Sequence, residues 1–443
     1  MTRRKTHTPL NVLINDRLVG RLTKEPSGAV AFQYDRSWLD WEHAFPASLS
    51  LPLRVAGYRG AGVIAVFDNL LPDNGDIRRR LAERTGAEGT DPYSLLAKIG
   101  RDCVGAMQFL PDGEVPDAPG GIAGEPLGDN DIEKLLDGLK SAPLGIDPDQ
   151  EFRISLAGAQ EKTALLRRQD QWLRPVGTTP TTHILKPQLG EIRTSSGTVD
   201  MTASVNNEHY CLALLRGFGL EAARTEIATF GKRRVLVVER FDRQWLPDGR
   251  LLRLPQEDCC QALGVPSSQK YQNEGGPGAP DIIRLLGASD DPTRDQMALL
   301  TAQVVFWLIG ATDGHAKNFS IFLRPGGAFQ LTPFYDVLSV QPAVDLGQLN
   351  RKSFRLAMAA GSSRHYRIDE VLARHFVQTA RAGGLGPTII EQVLVAVRDR
   401  ARAAADAARS AMPHDFTSEI HDSIRKAIAA RLPQLDTAFA ELN

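Results

Sequence analysis

Asp313, Asn318 and Asp336 are the residues whose types and spacing could do chemistry. Asp313 and Asn318 lie five positions apart in a polar stretch, and Asp336 closes a hairpin-like pattern further on. Phosphoryl transfer needs such a set: one Asp to accept or orient a hydroxyl proton, with an amide oxygen and a second carboxylate holding Mg²⁺ between phosphates. Hard oxygen donors suit Mg²⁺, which keeps water and phosphate oxygens among its ligands. The D-x₄-N spacing alone is a weak signal, and a polar turn between core elements would also produce it. The order of the flanking elements is more specific. An apolar helix pattern ends at Gly310, and a strand pattern covers 319–323. Pro325 to Gly327 turn the chain into a second strand, 328–332, which leads to Phe334, Tyr335 and Asp336.

The elements that would serve these residues lie upstream. Lys186 ends the apolar run from His183, where a lysine can reach α- and β-phosphates; taken alone, it is also an ordinary strand-end lysine. A helix pattern over 205–218, closed by Gly219, carries Glu208, which could pair with Lys186 or simply face solvent. Glu239, Arg240, Phe241 and Asp242 follow the apolar strand 234–239, where a hinge would bind adenine through its backbone. Strand, strand, helix and strand with an internal lysine is the layout of a nucleotide-binding small lobe. The segment Ser155–Lys162 has small residues that let backbone N–H groups approach phosphates. It is neither G-x-G-x-x-G nor a Walker A sequence, and by itself a structural turn explains it equally well.

The chain has 443 residues, with 52 Lys+Arg against 53 Asp+Glu, a net charge of −1. That balance excludes a strong autonomous grip on nucleic acid, which takes a basic excess, and an acidic solvating chain. With 42% hydrophobic and 24% charged residues, the composition is that of a globular protein. Four cysteines, two of them the adjacent Cys259 and Cys260, form no CxxC pairs, so reduced thiols are expected. No apolar region follows the basic residues Met1 to Thr8, so no signal peptide is expected. The apolar run 297–311 is too short to span a bilayer.

Strand patterns at 11–15 and 18–22 flank a turn placed at Asp16 and Arg17, with a third strand at 29–34. A basic helix is expected to begin near Asp76, and residues 111–130, rich in Gly, Pro and Asp, read as a loop or linker. Pro387 suits the first turn of a helix running to Met412, and Thr417 or Ser418 can cap a last helix ending at Leu432. The expected fold is α+β and bilobed, protein-kinase-like, with a strand-rich N-terminal domain and a mainly helical C-terminal lobe. Its expected domains are 1–110, a linker and helix at 111–150, a nucleotide-binding small lobe at 151–250 and a catalytic large lobe at 251–443. ATP would bind in the cleft between lobes.

Six segments make the pattern specific: Phe67–Asp73, Arg153–Leu166, Leu254–Asp258, Pro266–Tyr271, Ile309–Ser320 and Leu331–Asp336. On these the chain resembles the HipA family of serine/threonine kinase toxins from bacterial type II toxin–antitoxin systems, over roughly residues 10–430. The resemblance implies ATP and Mg²⁺ as cofactors and a role for each matching residue. Asp313 would be the catalytic base, and Asn318 and Asp336 the metal ligands. Lys186 would bind phosphate, and His315 and Lys317 would lie in the nucleotide-contacting loop with Tyr335 against the nucleotide. Glu239, Arg240 and Phe241 would form the hinge. Ala157, Gly158, Ala159, Gln160, Glu161 and Lys162 would be the phosphate loop, and Ser155 the autophosphorylated serine whose modification silences the kinase.

The implied partners are a HipB-like helix-turn-helix antitoxin, operator DNA reached through that antitoxin, and a protein substrate in translation, such as an aminoacyl-tRNA synthetase. A cytoplasmic location and no membrane association are expected. Arg374 and Arg381 lie where such toxins touch DNA, but Gly383 and Gly384 dilute the basic character, and a solvated helix face is the plainer reading. A small-molecule phosphotransferase shares the same Asp-to-Asn loop, and a non-enzymatic co-repressor acting with an antitoxin is a third reading.

Overall fold

The computed structural model describes residues 7–116, 121–146, 153–194 and 197–442. The basic residues 1–6 and parts of the 111–150 stretch lie outside the described residues. The chain is α+β, strand-rich in its N-terminal part and mainly helical in its C-terminal part. It divides into two units: 1–187 with 228–268 and 321–329, and 188–227 with 269–320 and 330–443.

The first unit opens with an antiparallel sheet ordered Tyr58–Arg59, Val30–Tyr34, Arg17–Lys24, Leu10–Ile14 and Met107–Pro111. The first hairpin turns at Asn15 and Asp16, not at Asp16 and Arg17. Both residues are left-handed, with φ of 46° and 66°, and Arg17 already pairs with Ile14. A two-residue turn of this hand needs positive φ at both central positions, which Asn and Asp tolerate and Arg resists. The basic helix is Gly75–Thr85, capped by the Asn74 side chain, which accepts from the N–H groups of Asp76 and Ile77 at 2.8 and 3.2 Å.

A second sheet runs Arg233–Glu239, His183–Pro187, Thr163–Arg168, Gln171–Pro175 and Gly124–Leu127, with Thr225–Phe230 outside Arg233–Glu239. Helix Asp129–Gly138 lays Ile132, Leu135 and Leu136 on Leu165, Leu185, Val235 and Val237. The stretch 111–130 is therefore not all loop. Gly124–Leu127 is an edge strand paired with Gln171–Pro175, and an edge tolerates Pro126 because it need not donate outward.

In the second unit the helix Pro292–Ile309 is buried along most of its length and ends at Gly310. Arg431 donates to the terminal carbonyls of Trp307 and Leu308 at 3.2 and 2.8 Å, complementing the negative helix end. Helix Ser204–Gly217 packs tightly on Pro387–Ser410: a Cβ on Gly217 would lie 2.8 Å from Ala404 Cα. The last long helix is Ser418–Arg431; Thr417 stands at its N-cap, but the Thr417 side chain makes no capping bond. All four cysteines are free and buried. Among the described residues, no helix is long and apolar enough to cross a membrane.

Candidate active site

In the second unit, the buried helix Pro292–Ile309 leads directly into the Asp313 loop. Gly310 stops the helix, and the chain then has to satisfy its backbone locally. The Asp313 carbonyl accepts from His315 N–H at 2.8 Å and from Asn318 Nδ2 at 2.7 Å. A short 3-10 turn, Ala316–Asn318, follows, held by a 2.9 Å bond from Asn318 N–H to the His315 carbonyl. His315, Lys317 and Asn318 are buried, whereas the Asp313 side chain is 64% exposed. Such a loop fixes the carboxylate's stem while leaving its oxygens where a substrate can meet them.

Tyr335, the neighbour of Asp336, is bonded to this loop. Its hydroxyl donates to the Lys317 carbonyl at 2.8 Å and pairs with Ser320 Oγ at 2.6 Å. Phe334 is pinned by two 2.8 Å backbone bonds, to Glu221 and from Ala223. Asp336 has a left-handed φ of 58°, an uncommon conformation for a non-glycine residue that concentrates at functional sites.

The donor set fits a hard cation. The Asn318 amide nitrogen faces a carbonyl, which leaves its oxygen as the atom able to meet a metal. Among the described residues no three His, Cys, Asp or Glu groups converge. Mg²⁺ held partly by phosphate oxygens needs only one or two protein carboxylates.

The first unit holds the other predicted residues. Ser155 is fully buried; its Oγ donates to the Leu70 carbonyl at 2.8 Å and its N–H to the Asp102 carbonyl at 2.9 Å. Gly158 lies beside Pro72 as a parallel bridge and accepts from Asp73 N–H at 3.1 Å. Its φ of +104° favours glycine, and an added Cβ would lie 2.6 Å from the Lys162 Nζ. Lys162 is buried and donates to the Ala157 carbonyl at 2.5 Å, closing the loop on itself. Ala159 is exposed, Glu161 faces Arg80 at 3.6 Å, and Gln160 donates to the Pro187 carbonyl at 3.0 Å. That last bond ties the loop to the strand carrying buried Lys186. Glu208 is buried as well, on a helix of the other unit.

At the expected hinge, Glu239 is exposed and Phe241 meets Phe322 edge to face at 5.9 Å. Arg240 does something the sequence did not suggest. Its N–H bonds to the Thr182 carbonyl at 2.9 Å, and its guanidinium enters a buried cluster with Asp102 and Asp242, at 3.2 and 2.7 Å. Arg243 and Arg253 reach the other Asp102 oxygen, each at 2.9 Å, and Thr181 Oγ1 donates to the Asp102 carboxylate at 2.7 Å. The Arg240 carbonyl accepts from the Arg243 N–H at 3.2 Å, so Arg240 is engaged through main chain and side chain alike. Burial alone would raise the Asp102 pKa, but Arg243, Arg253 and Arg240 outweigh it and hold the carboxyl well below its ordinary range. Burial, then repulsion from Arg240, brings Arg243 down to about 10.

Asp102, Thr181, Arg243 and Arg253 escaped the sequence reading, as did Tyr271, whose hydroxyl donates to Asp313 Oδ1 at 2.7 Å. Asp102 sits between Arg101 and Cys103, and nothing in that stretch marks it as the centre of a buried cluster. Arg374 and Arg381 are both exposed, which a solvated face and a DNA contact share.

The chain is similar to known proteins over most of its length. The family described as HipA-like C-terminal domain matches residues 154–407, and the HipA N-terminal domain family matches residues 10–110. A putative kinase, Y4mE, of Sinorhizobium fredii is 35% identical over 387 residues, 86% of this chain and 87% of that protein. The serine/threonine-protein kinase toxin HipA of Shewanella oneidensis is 30% identical over 374 residues, 81% and 80% of the two chains. A solved Shewanella oneidensis HipA, in complex with HipB and its operator DNA, matches with a TM-score of 0.79 at 24% identity, covering 97% of this chain and 99% of that one. At that identity the likeness is one of fold.

Proposed function

Because the chain belongs to the HipA family, we propose that it is an ATP-dependent serine/threonine-protein kinase acting as the toxin of a toxin–antitoxin pair. The observation that carries this reading is the exposed Asp313 carboxylate on a loop whose carbonyl is held by His315 and Asn318. In the transfer, a serine hydroxyl oxygen bonds to the γ-phosphorus, the bond to the β–γ bridging oxygen breaks, and ADP leaves. Asp313 receives the hydroxyl proton. Mg²⁺, held by Asn318 and Asp336, would neutralise charge on the phosphate oxygens. Lys186 would bind phosphate, with the loop from Ala157 to Lys162 offering backbone N–H groups.

Ser155 is the proposed site of self-silencing. A phosphoryl group on its Oγ would set dianionic oxygens against the Leu70 carbonyl that now accepts the hydroxyl proton. A buried dianion in that place is costly, so the segment would leave its seat. A HipB-like antitoxin would neutralise the toxin and carry it to operator DNA, consistent with a net charge of −1 that gives little DNA affinity of its own. The proposed substrate is a translation component, in the cytoplasm.

The test is transfer of label from γ-labelled ATP to the proteins of a cell extract. Wild type should label protein and Asp336→Asn should not. Equal labelling by the two would reject the assignment, and label appearing only in small molecules would favour a small-molecule phosphotransferase.

A further inference from the structure

Tyr271 lies 42 residues upstream of Asp313, yet its hydroxyl donates to Asp313 Oδ1 at 2.7 Å. The tyrosine is itself held. Its ring stands edge-on to the buried His315 ring, with centroids 4.9 Å apart and planes at 84°. The Lys270 carbonyl accepts from Ala316 N–H at 3.4 Å, tethering this stretch of main chain to the Asp313 loop. The Asp313 carboxylate, by contrast, stands largely in solvent. An exposed carboxylate can turn among several rotamers, and a donor fixed by a packed ring selects one of them.

We propose that Tyr271 is a positioning residue for the phosphoacceptor base. Its hydroxyl holds Oδ1 of Asp313, so that Oδ2 is the oxygen presented to the acceptor hydroxyl. The inference rests on Asp313 acting as the base. It gives a role to the last residue of the segment Pro266–Tyr271. It also implies that Tyr271 acts on turnover, through the Asp313 carboxylate that its hydroxyl holds.

Tyr271→Phe tests this, because it keeps the ring and its packing on His315 and removes one hydroxyl. Full-length wild type, Tyr271→Phe and Asp313→Asn are compared for transfer from γ-labelled ATP to cell-extract protein across a range of ATP concentrations. The rate at saturating ATP should fall about tenfold in Tyr271→Phe, the lower end for losing one hydrogen bond to a charged group. Its half-saturating ATP concentration and melting temperature should stay those of wild type, and Asp313→Asn should lose transfer. A wild-type rate in Tyr271→Phe beside an inactive Asp313→Asn overturns the positioning role and leaves the base intact. A faster Tyr271→Phe overturns it too, because the hydroxyl would then be blocking the base. A rise confined to the half-saturating concentration also overturns it. Transfer by Asp313→Asn removes the premise itself.

Discussion

Replacing Asp102 by Asn should destabilise the first unit far more than a surface change of the same size. Oδ1 of Asp102 takes Arg243 and Arg253, each at 2.9 Å, while Oδ2 takes Arg240 at 3.2 Å and the Thr181 N–H and hydroxyl at 3.1 and 2.7 Å. All three guanidinium groups are at most 5% exposed. In the variant, Arg240 and Arg243 would keep only Asp242, Arg253 would lose its Asp102 partner, and whichever side the amide NH₂ takes, it would meet donors. Breaking a buried pair by removing one partner costs about 3–5 kcal/mol, because the remaining charge stays desolvated.

Equilibrium urea unfolding followed by tryptophan fluorescence reads this loss. Trp38, Trp41, Trp172 and Trp245 belong to the first unit, and only Trp307 to the second. A second variant, Asp102→Asn with Arg253→Met, removes one stranded cation and should recover part of the loss. A shift worth less than about 1 kcal/mol, the scale of an exposed ion pair, would refute the reasoning. The same carboxyl sets a pH dependence. Its folded pKa lies below the ordinary 3.8, so its contribution is full above that value and is lost as pH falls through the lower folded one.

Gly158→Ala should weaken ATP binding about tenfold by calorimetry, since left-handed strain of ~1–3 kcal/mol is added where the Cβ meets Lys162 Nζ; unchanged affinity would show that the loop conformation does not matter. Ser155→Ala should abolish the phosphoryl group at that peptide, read by mass mapping after incubation with MgATP, and should cost about 1–2 kcal/mol because the Leu70 carbonyl loses its donor. An unchanged phosphoryl count would rule the site out. Burial, aided by Arg167, Arg216 and His365 respectively, lowers His183, His209 and His375 from 6.5 to about 4. The unfolded chain therefore binds more protons between those values, and the melting temperature should drop between pH 7 and pH 5. A melting temperature that rises or stays level over that interval would contradict the buried, neutral state of these rings.

What the sequence made legible was local. Asp313, Asn318 and Asp336 could be named because a buried helix, a short loop and a hairpin set their order within one stretch of chain. Helix Gly75–Thr85 and the strands around Lys186 were readable for the same reason, from caps and apolar runs. Gly124–Leu127 was hidden because edge pairing tolerates the Gly and Pro that usually mark loops. The ion pairs of Arg240 were not legible because its partner Asp102 is 138 residues away and the pairing exists only after folding. Tyr271 was quoted in a motif, yet its contact with Asp313 depends on how His315 orients the ring. Long-range electrostatics and side-chain packing leave no periodic trace in the chain.

Asp313 should drive transfer of phosphate to protein serine. Phosphosite mapping in cells expressing wild type or Asp313→Asn at equal level measures this directly. New phosphoserine sites with wild type alone, Ser155 among them, are the predicted result. The same new sites with Asp313→Asn, or none with wild type that is folded and free of antitoxin, would contradict the account.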